Sequence, residues 1–291
     1  MLIFSPEQPL LHPLHTEKSV EVYIKRDDMI HPFISGNKWR KLKYNLLKAK
    51  RINKDTLITF GGAWSNHILA VACAAAVEGF HAKAFIRGDQ VSNPVLDMCR
   101  LFGMELIFVS RADYKDKKQL FESLGGNANA LMIDEGGAGV EGAQGCSELL
   151  DELEQRYDHI FVAAGTGTTA AGLSLGITRH SLDTVLHVVP VLKGGLFIKE
   201  EMTALGASTV NTEFHTDYHF GGYAKSKPEL IRFVQSFVRQ TGIMIEPTYT
   251  GKALFALHDL LEKGRFKKGS SILFIHTGGL TGLLGQLEYF R

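Results

Sequence analysis

The chain has 291 residues, 45% of them apolar, which is enough to bury one large core or two lobes. Lysine and arginine number 32 against 31 aspartates and glutamates, so no net field favours nucleic acid or an anionic membrane surface. Any anion must be held by a local site, and a small molecule is the expected partner.

Residues 1–14 have no basic leader and are broken by Pro6, Pro9 and Pro13. No later apolar run approaches the ~18 residues of a membrane span. A cytoplasmic, unprocessed protein is expected. Residues 34–44 read Ile-Ser-Gly-Asn-Lys-Trp-Arg-Lys-Leu-Lys-Tyr, a tight turn followed by an apolar helical stripe at Trp39, Leu42 and Leu46. Lys38 therefore opens a helix, where the positive end of the dipole lowers an amine pKa and favours a nucleophile. The plainer reading makes Lys38, Arg40, Lys41 and Lys43 a solvated basic face.

Short β-rich runs follow at 56–60, 82–87, 105–109, 130–134, 159–164, 184–189 and 271–276. Several are apolar throughout, as strands covered on both faces require, and helical stretches alternate with them. An α/β fold with mostly parallel sheets is predicted. Crossover helices are expected over 66–77 and 142–156, the latter carrying Leu149, Leu150 and Leu153. Cys73, Cys99 and Cys146 lack metal-ligand spacing and read as buried residues of a reduced protein.

Two turns carry chemistry. After the run 56–60 comes Gly-Gly-Ala-Trp-Ser-Asn-His, in which Ser65 suits a helix N-cap while Asn66 and His67 offer hydrogen bonds to a ligand. After 159–164 comes Gly-Thr-Gly-Thr-Thr-Ala-Ala-Gly, glycines leading into a helix N-terminus, which presents free amides to a phosphate. Its letters also satisfy the dinucleotide pattern Gly-x-Gly-x-x-Ala. The next strand, however, ends in Pro190, where an NAD site needs an acidic residue, and Asp183 stands at the wrong end. No Gly-Lys-Ser/Thr ending makes a P-loop, so a single phosphate is expected. His215 and His219 are spaced like metal ligands but no acidic partner follows, and no metal is expected.

Together with Tyr-Ile-Lys-Arg-Asp-Asp at 23–28, these three segments resemble the 1-aminocyclopropane-1-carboxylate (ACC) deaminase and D-cysteine desulfhydrase family. That family belongs to the tryptophan-synthase-like enzymes that use pyridoxal 5'-phosphate (PLP). The likeness runs in order through nearly the whole chain. It implies the fold type II architecture, with residues 1–49 and 157–291 forming a larger PLP-binding domain and 50–156 a smaller inserted one, and a homodimer by analogy. It implies that Lys38 holds PLP as a Schiff base and moves the Cα proton. It also implies that Asn66 meets the pyridine 3'-oxygen, that Ser65, Asn66 and His67 surround the substrate, and that Gly165, Thr166, Gly167, Thr168 and Thr169 hold the phosphate.

Further along, the segment Glu-Pro-Thr-Tyr-Thr-Gly-Lys at 246–252 resembles the part that brings a catalytic tyrosine, Tyr249, and a partner for the pyridine nitrogen, Thr250. Tyr223 resembles a second active-site tyrosine, and Thr277 falls beside the ring. The deaminases carry glutamate where Thr250 stands and leucine where Thr277 stands, so the desulfhydrase form, D-cysteine to pyruvate, sulfide and ammonia, is expected. ACC deaminase chemistry is the alternative, and a PLP-binding protein without turnover a third. Trp64 and Leu69 stand where the family commonly has glutamine and arginine.

Overall fold

The computed structural model describes residues 4–125 and 129–291. In chain order it contains β1 (Glu7–Pro9), α1 (Pro13–Lys18), β2 (Glu21–Lys25), α2 (Asn37–Arg51), β3 (Thr56–Gly61), α3 (Asn66–Glu78), β4 (His81–Arg87), α4 (Pro94–Leu101) and β5 (Glu105–Val109). There follow α5 (Lys117–Leu120), β6 (Ala130–Ile133), α6 (Val140–Ser147), β7 (His159–Ala164), α7 (Thr168–Arg179), β8 (Val185–Pro190), α8 (Phe197–Ala204), β9 (Thr212–Phe214), α9 (Pro228–Thr241), α10 (Thr250–Glu262) and β10 (Ser271–Ile275).

The strands form two sheets. A six-stranded sheet runs β1-β2-β10-β7-β8-β9, parallel except for β1, and a four-stranded sheet runs β5-β4-β3-β6, parallel throughout. The seven predicted strands are present, each within a residue or two of its expected bounds. Along β7, Ile160 and Val162 face a core shared with α7 and α8, while Phe161 and Ala163 face one shared with α9 and α10. Each large side chain buried this way contributes ~1.5–3 kcal/mol.

The helix expected over 142–156 is shorter. α6 ends at Ser147 and a 3₁₀ turn covers 148–152, so Leu149 and Leu150 reach the core in a tighter geometry. α6 also serves a purpose the sequence did not announce, since its glycines let it lie between α2 and α7. A Cβ on Gly145 would stand 1.9 Å from the Arg40 carbonyl oxygen, and one on Gly172 of α7 would stand 2.4 Å from Cys146 Cβ. The lysine-bearing helix and the helix after the glycine loop are thus locked to a common spacer. Cys73, Cys99 and Cys146 are all free and buried.

Gly145→Ala should therefore cost at least ~2 kcal/mol in urea unfolding, because backbone atoms must move apart. Gly79→Ala, at a left-handed φ of +77° with no neighbour within 4 Å, should cost only about 1 kcal/mol.

Candidate active site

The basic run around Lys38 is an interior feature. Arg40 is buried, donating from Nε to Asp27 Oδ2 and from a terminal nitrogen to Asp27 Oδ1, both at 2.7 Å, with Glu152 on its outer side at 2.7 Å and Ser5 completing Asp27 at 2.6 Å. Lys41 is also buried and donates to the Gly136 carbonyl at 3.1 Å. Only Lys43 behaves as a surface charge, pairing with Glu148. The solvated-face reading is overturned by partners that lie far away in sequence.

Ahead of α2, Gly36 has φ +62° and a Cβ there would fall 1.9 Å from the Thr277 carbonyl oxygen, so the turn accepts only glycine. That carbonyl accepts the Asn37 amide at 3.2 Å. Lys38 is half-buried and its amine donates to Asn37 Oδ1 at 3.1 Å. Its pKa falls to about 7, first through burial and then through the nearby Lys41 cation. A substantial fraction is thus unprotonated and nucleophilic at neutral pH.

The glycine loop meets this turn directly. Asn37 Nδ2 donates to Thr169 Oγ1 at 2.9 Å. α7 begins after Gly167, whose φ is +77°, and has no side-chain cap, so its first-turn amides keep the capacity to bind an anion. Thr166 and Thr168 bring their hydroxyls within 3.3 Å of each other, while Gly165 lies against the Tyr249 ring, where a Cβ would come within 3.2 Å.

Residues 65–67 divide their tasks. Ser65 Oγ caps α3 by accepting the Ile68 amide at 3.3 Å, which leaves its proton available. Asn66 Oδ1 accepts from the Thr281 hydroxyl and from the Gly282 amide at 2.8 Å, leaving Nδ2 to donate. His67 is placed against expectation. It is buried, its Nε2 lies 2.8 Å from Thr59 Oγ1 on β3, and burial holds the ring neutral, with its pKa far below the ordinary range. Contact with a substrate carboxylate does not agree with that position.

The third component is the start of α10. Glu246 is buried, and its carboxylate accepts the amides of Thr248, Tyr249 and Thr250 at 2.6, 2.9 and 2.7 Å. Thr250 Oγ1 accepts the Glu246 amide at 3.0 Å and donates to Glu246 Oε1 at 3.1 Å. The hydroxyl expected to serve a pyridine nitrogen is thus already engaged within its own turn. Tyr249 meets Tyr223 edge to face, ring centroids 5.8 Å apart, and burial pushes the Tyr249 phenol well above its ordinary pKa. Lys252 went unnoticed in the sequence. It is fully buried and donates to the carbonyls of Val191, His219 and Gly222. A lysine inside the apolar run of α10 was the available signal.

The loop after β10 joins these parts, because Thr277 holds Asn37 and the 281–282 segment holds Asn66. His276, fully buried, donates from Nε2 to Met244 O at 2.7 Å and accepts the Gly278 amide on Nδ1 at 3.2 Å, which shapes the loop. Trp64 packs on this segment, since a Cβ on Gly285 would come within 2.7 Å of its ring. Leu69 is fully buried in the core around α3. His219 does not join His215. Instead His215 Nε2 lies 2.9 Å from His187 Nδ1, and His187 Nε2 lies 3.0 Å from His159 Nδ1, an imidazole chain in which the rings satisfy one another.

Comparison with known proteins points the same way. The family described as "Pyridoxal-phosphate dependent enzyme" matches residues 7–278. A Pyrococcus horikoshii protein named "Putative 1-aminocyclopropane-1-carboxylate deaminase" is 36% identical, over 91% of this chain and 86% of its own. The mitochondrial bifunctional D-cysteine desulfhydrase/1-aminocyclopropane-1-carboxylate deaminase of Arabidopsis thaliana is 31% identical, over 92% and 74%. The crystal structure of an ACC deaminase homologue superposes with a TM-score of 0.86 at 33% identity, covering 98% of this chain and 92% of that one.

If burial sets the lysine as described, the Lys38 amine of cofactor-free protein titrates near 7 in place of 10.5. Carbon-13 methylation followed by NMR titration, with the signal assigned by its loss in Lys38→Arg, measures this. A midpoint above 10 would contradict it.

Proposed function

Because this chain belongs to the family of pyridoxal-phosphate dependent enzymes, we propose that it removes the β-thiolate of D-cysteine, releasing sulfide and an enamine that one water hydrolyses to pyruvate and ammonia. The residues present fit the cofactor. An uncapped helix N-terminus is free to take a phosphate, a lysine amine with its pKa lowered to about 7 stands one residue from the Asn37–Thr169 bridge, and the Asn66 amide has a donor to spare. Bound there, the cofactor supplies an electron sink for the pair left at the substrate Cα.

Lys38 holds the cofactor and carries the Cα proton. The amides and hydroxyls of residues 165–169 would bind its phosphate, Asn66 Nδ2 would be free to donate to its ring oxygen, and Thr277 would stand on the side of the Asn37 turn. Ser65 donates its hydroxyl proton to the substrate carboxylate. Tyr223 or Tyr249, still protonated at neutral pH, delivers a proton to the departing sulfur.

The choice of D-cysteine rests on Thr250, a buried, uncharged group whose hydroxyl is committed to Glu246. With its proton given to Glu246, the Thr250 hydroxyl would place no charge beside a pyridine nitrogen, and a ring without a carboxylate there would be a weaker electron sink. Expelling a thiolate from an α-carbanion asks less of the sink than opening a cyclopropane. Ring opening of ACC to 2-oxobutyrate is the second reading, favoured by the names of the relatives. Assembly as a homodimer, which rests on the family resemblance alone, and a cytoplasmic location, which rests on three free, buried cysteines, belong to the same proposal. Among the described residues, no helix is long and apolar enough to cross a membrane.

A panel of D- and L-amino acids plus ACC, assayed for keto acid and sulfide, should show D-cysteine as the best substrate. Lys38→Ala should abolish turnover, and Tyr223→Phe or Tyr249→Phe should lower kcat by ~10²-fold or more. Keto acid from ACC alone would replace the first reading with the second. Cofactor binding without product from any member would remove both.

A further inference from the structure

Lys252 holds a cation with no counterion at contact among the described residues. It has no solvent exposure, and its amine donates to Val191 O at 3.2 Å, His219 O at 2.8 Å and Gly222 O at 2.7 Å, which uses all three ammonium protons on neutral carbonyls. Burying a charge this way is costly, and an apolar side chain of similar length would fill the space more cheaply. The carbonyls it holds show what the charge accomplishes. Two belong to a loop whose backbone is forced through positive φ at Phe220 (+49°), Gly221 (+99°), Gly222 (+120°) and Ala224 (+53°), and whose exposed tip is Tyr223. The third follows β8. Lys252 itself lies one turn along α10 from Tyr249. One ammonium thus ties the loop carrying one phenol to the helix carrying the other.

We propose that Lys252 is a positioning residue, whose three-carbonyl clamp keeps Tyr223 against Tyr249 for proton delivery to the leaving group. This rests on the proposed elimination chemistry. The charged and titratable groups around the amine are few. Glu246, in the turn before α10, acts on it as a counter-charge at a distance, His219 turns its ring toward the Gly221 amide, and the β8 end offers only a carbonyl. Burial lowers the amine pKa to about 8. Below that value the ammonium serves three carbonyls, and above it two protons remain for three acceptors, so the clamp loosens as pH rises.

The test uses the holoenzyme and its best substrate from the panel. Lys252→Met should lower kcat ~10²-fold with KM within about threefold and with unchanged cofactor absorbance, and Lys252→Arg should recover part of the loss. The wild-type fall in kcat above about pH 8 should vanish in Lys252→Met. Adding Tyr223→Phe to Lys252→Met should cost little more, because both changes remove one function; a merely structural lysine predicts that the two losses multiply. Hydrogen exchange of the amides at 219–225 needs no substrate and should quicken in Lys252→Met. Unchanged exchange, or multiplying losses, overturns the proposal. Faster exchange in a protein that turns over nothing keeps the clamp and removes the chemistry it was meant to serve.

Discussion

A guanidinium shared between Asp27 and Glu152 fixes the first turn of α2, and the geometry of the site is referred to that turn. Arg40 is buried with both Asp27 oxygens at 2.7 Å, so the pair is strongly directional. Breaking such a pair from one side leaves an uncompensated buried charge, a loss of ~3–5 kcal/mol. With the turn held, Gly36 can lie on the Thr277 carbonyl, Asn37 can reach Thr169, and the Lys38 amine is kept beside them. α6 enforces the spacing from behind through Gly145 and through its contact with Gly172.

The same device recurs at α10. Glu246 gathers three amides and the Thr250 hydroxyl, and Lys252 gathers three carbonyls, so a buried anion and a buried cation shape the two ends of one short stretch. Both charges are satisfied mainly by backbone. This arrangement fixes chain paths rather than adding net stability, and it brings Tyr249, Tyr223 and Gly165 into one corner.

Legibility in the sequence followed the physics of burial. The seven strands stood out because each is a compact β-rich run, most of them covered on both faces. β2 escaped notice because Glu21, Tyr23 and Lys25 interrupt its apolar residues, although Lys25 is buried against the Ser5 carbonyl and near Glu7 and Glu152. β1 and β9, three residues each, are too short to show a period. At the site, the glycine turn into the uncapped start of α7 and the Ser65 cap could be read locally, since both depend on neighbours in the chain. Arg40 could not, because Glu152 lies 112 positions away. His67 was misjudged for a geometric reason. Its ring turns to Thr59 on β3 while Asn66 turns to the 281–282 segment, a divergence set by partners distant in sequence. Thr250 has its partner four residues back in Glu246, a contact that a family resemblance does not reveal.

The central claim is that one lysine, Lys38, carries the cofactor at the junction of the glycine loop and the α2 turn. Borohydride reduction of the purified holoenzyme, followed by peptide mass mapping, tests it directly. One phosphopyridoxyl group per chain is expected, on the peptide containing Lys38. The same mass addition on Lys41 or Lys252, or on no lysine at all, would contradict it.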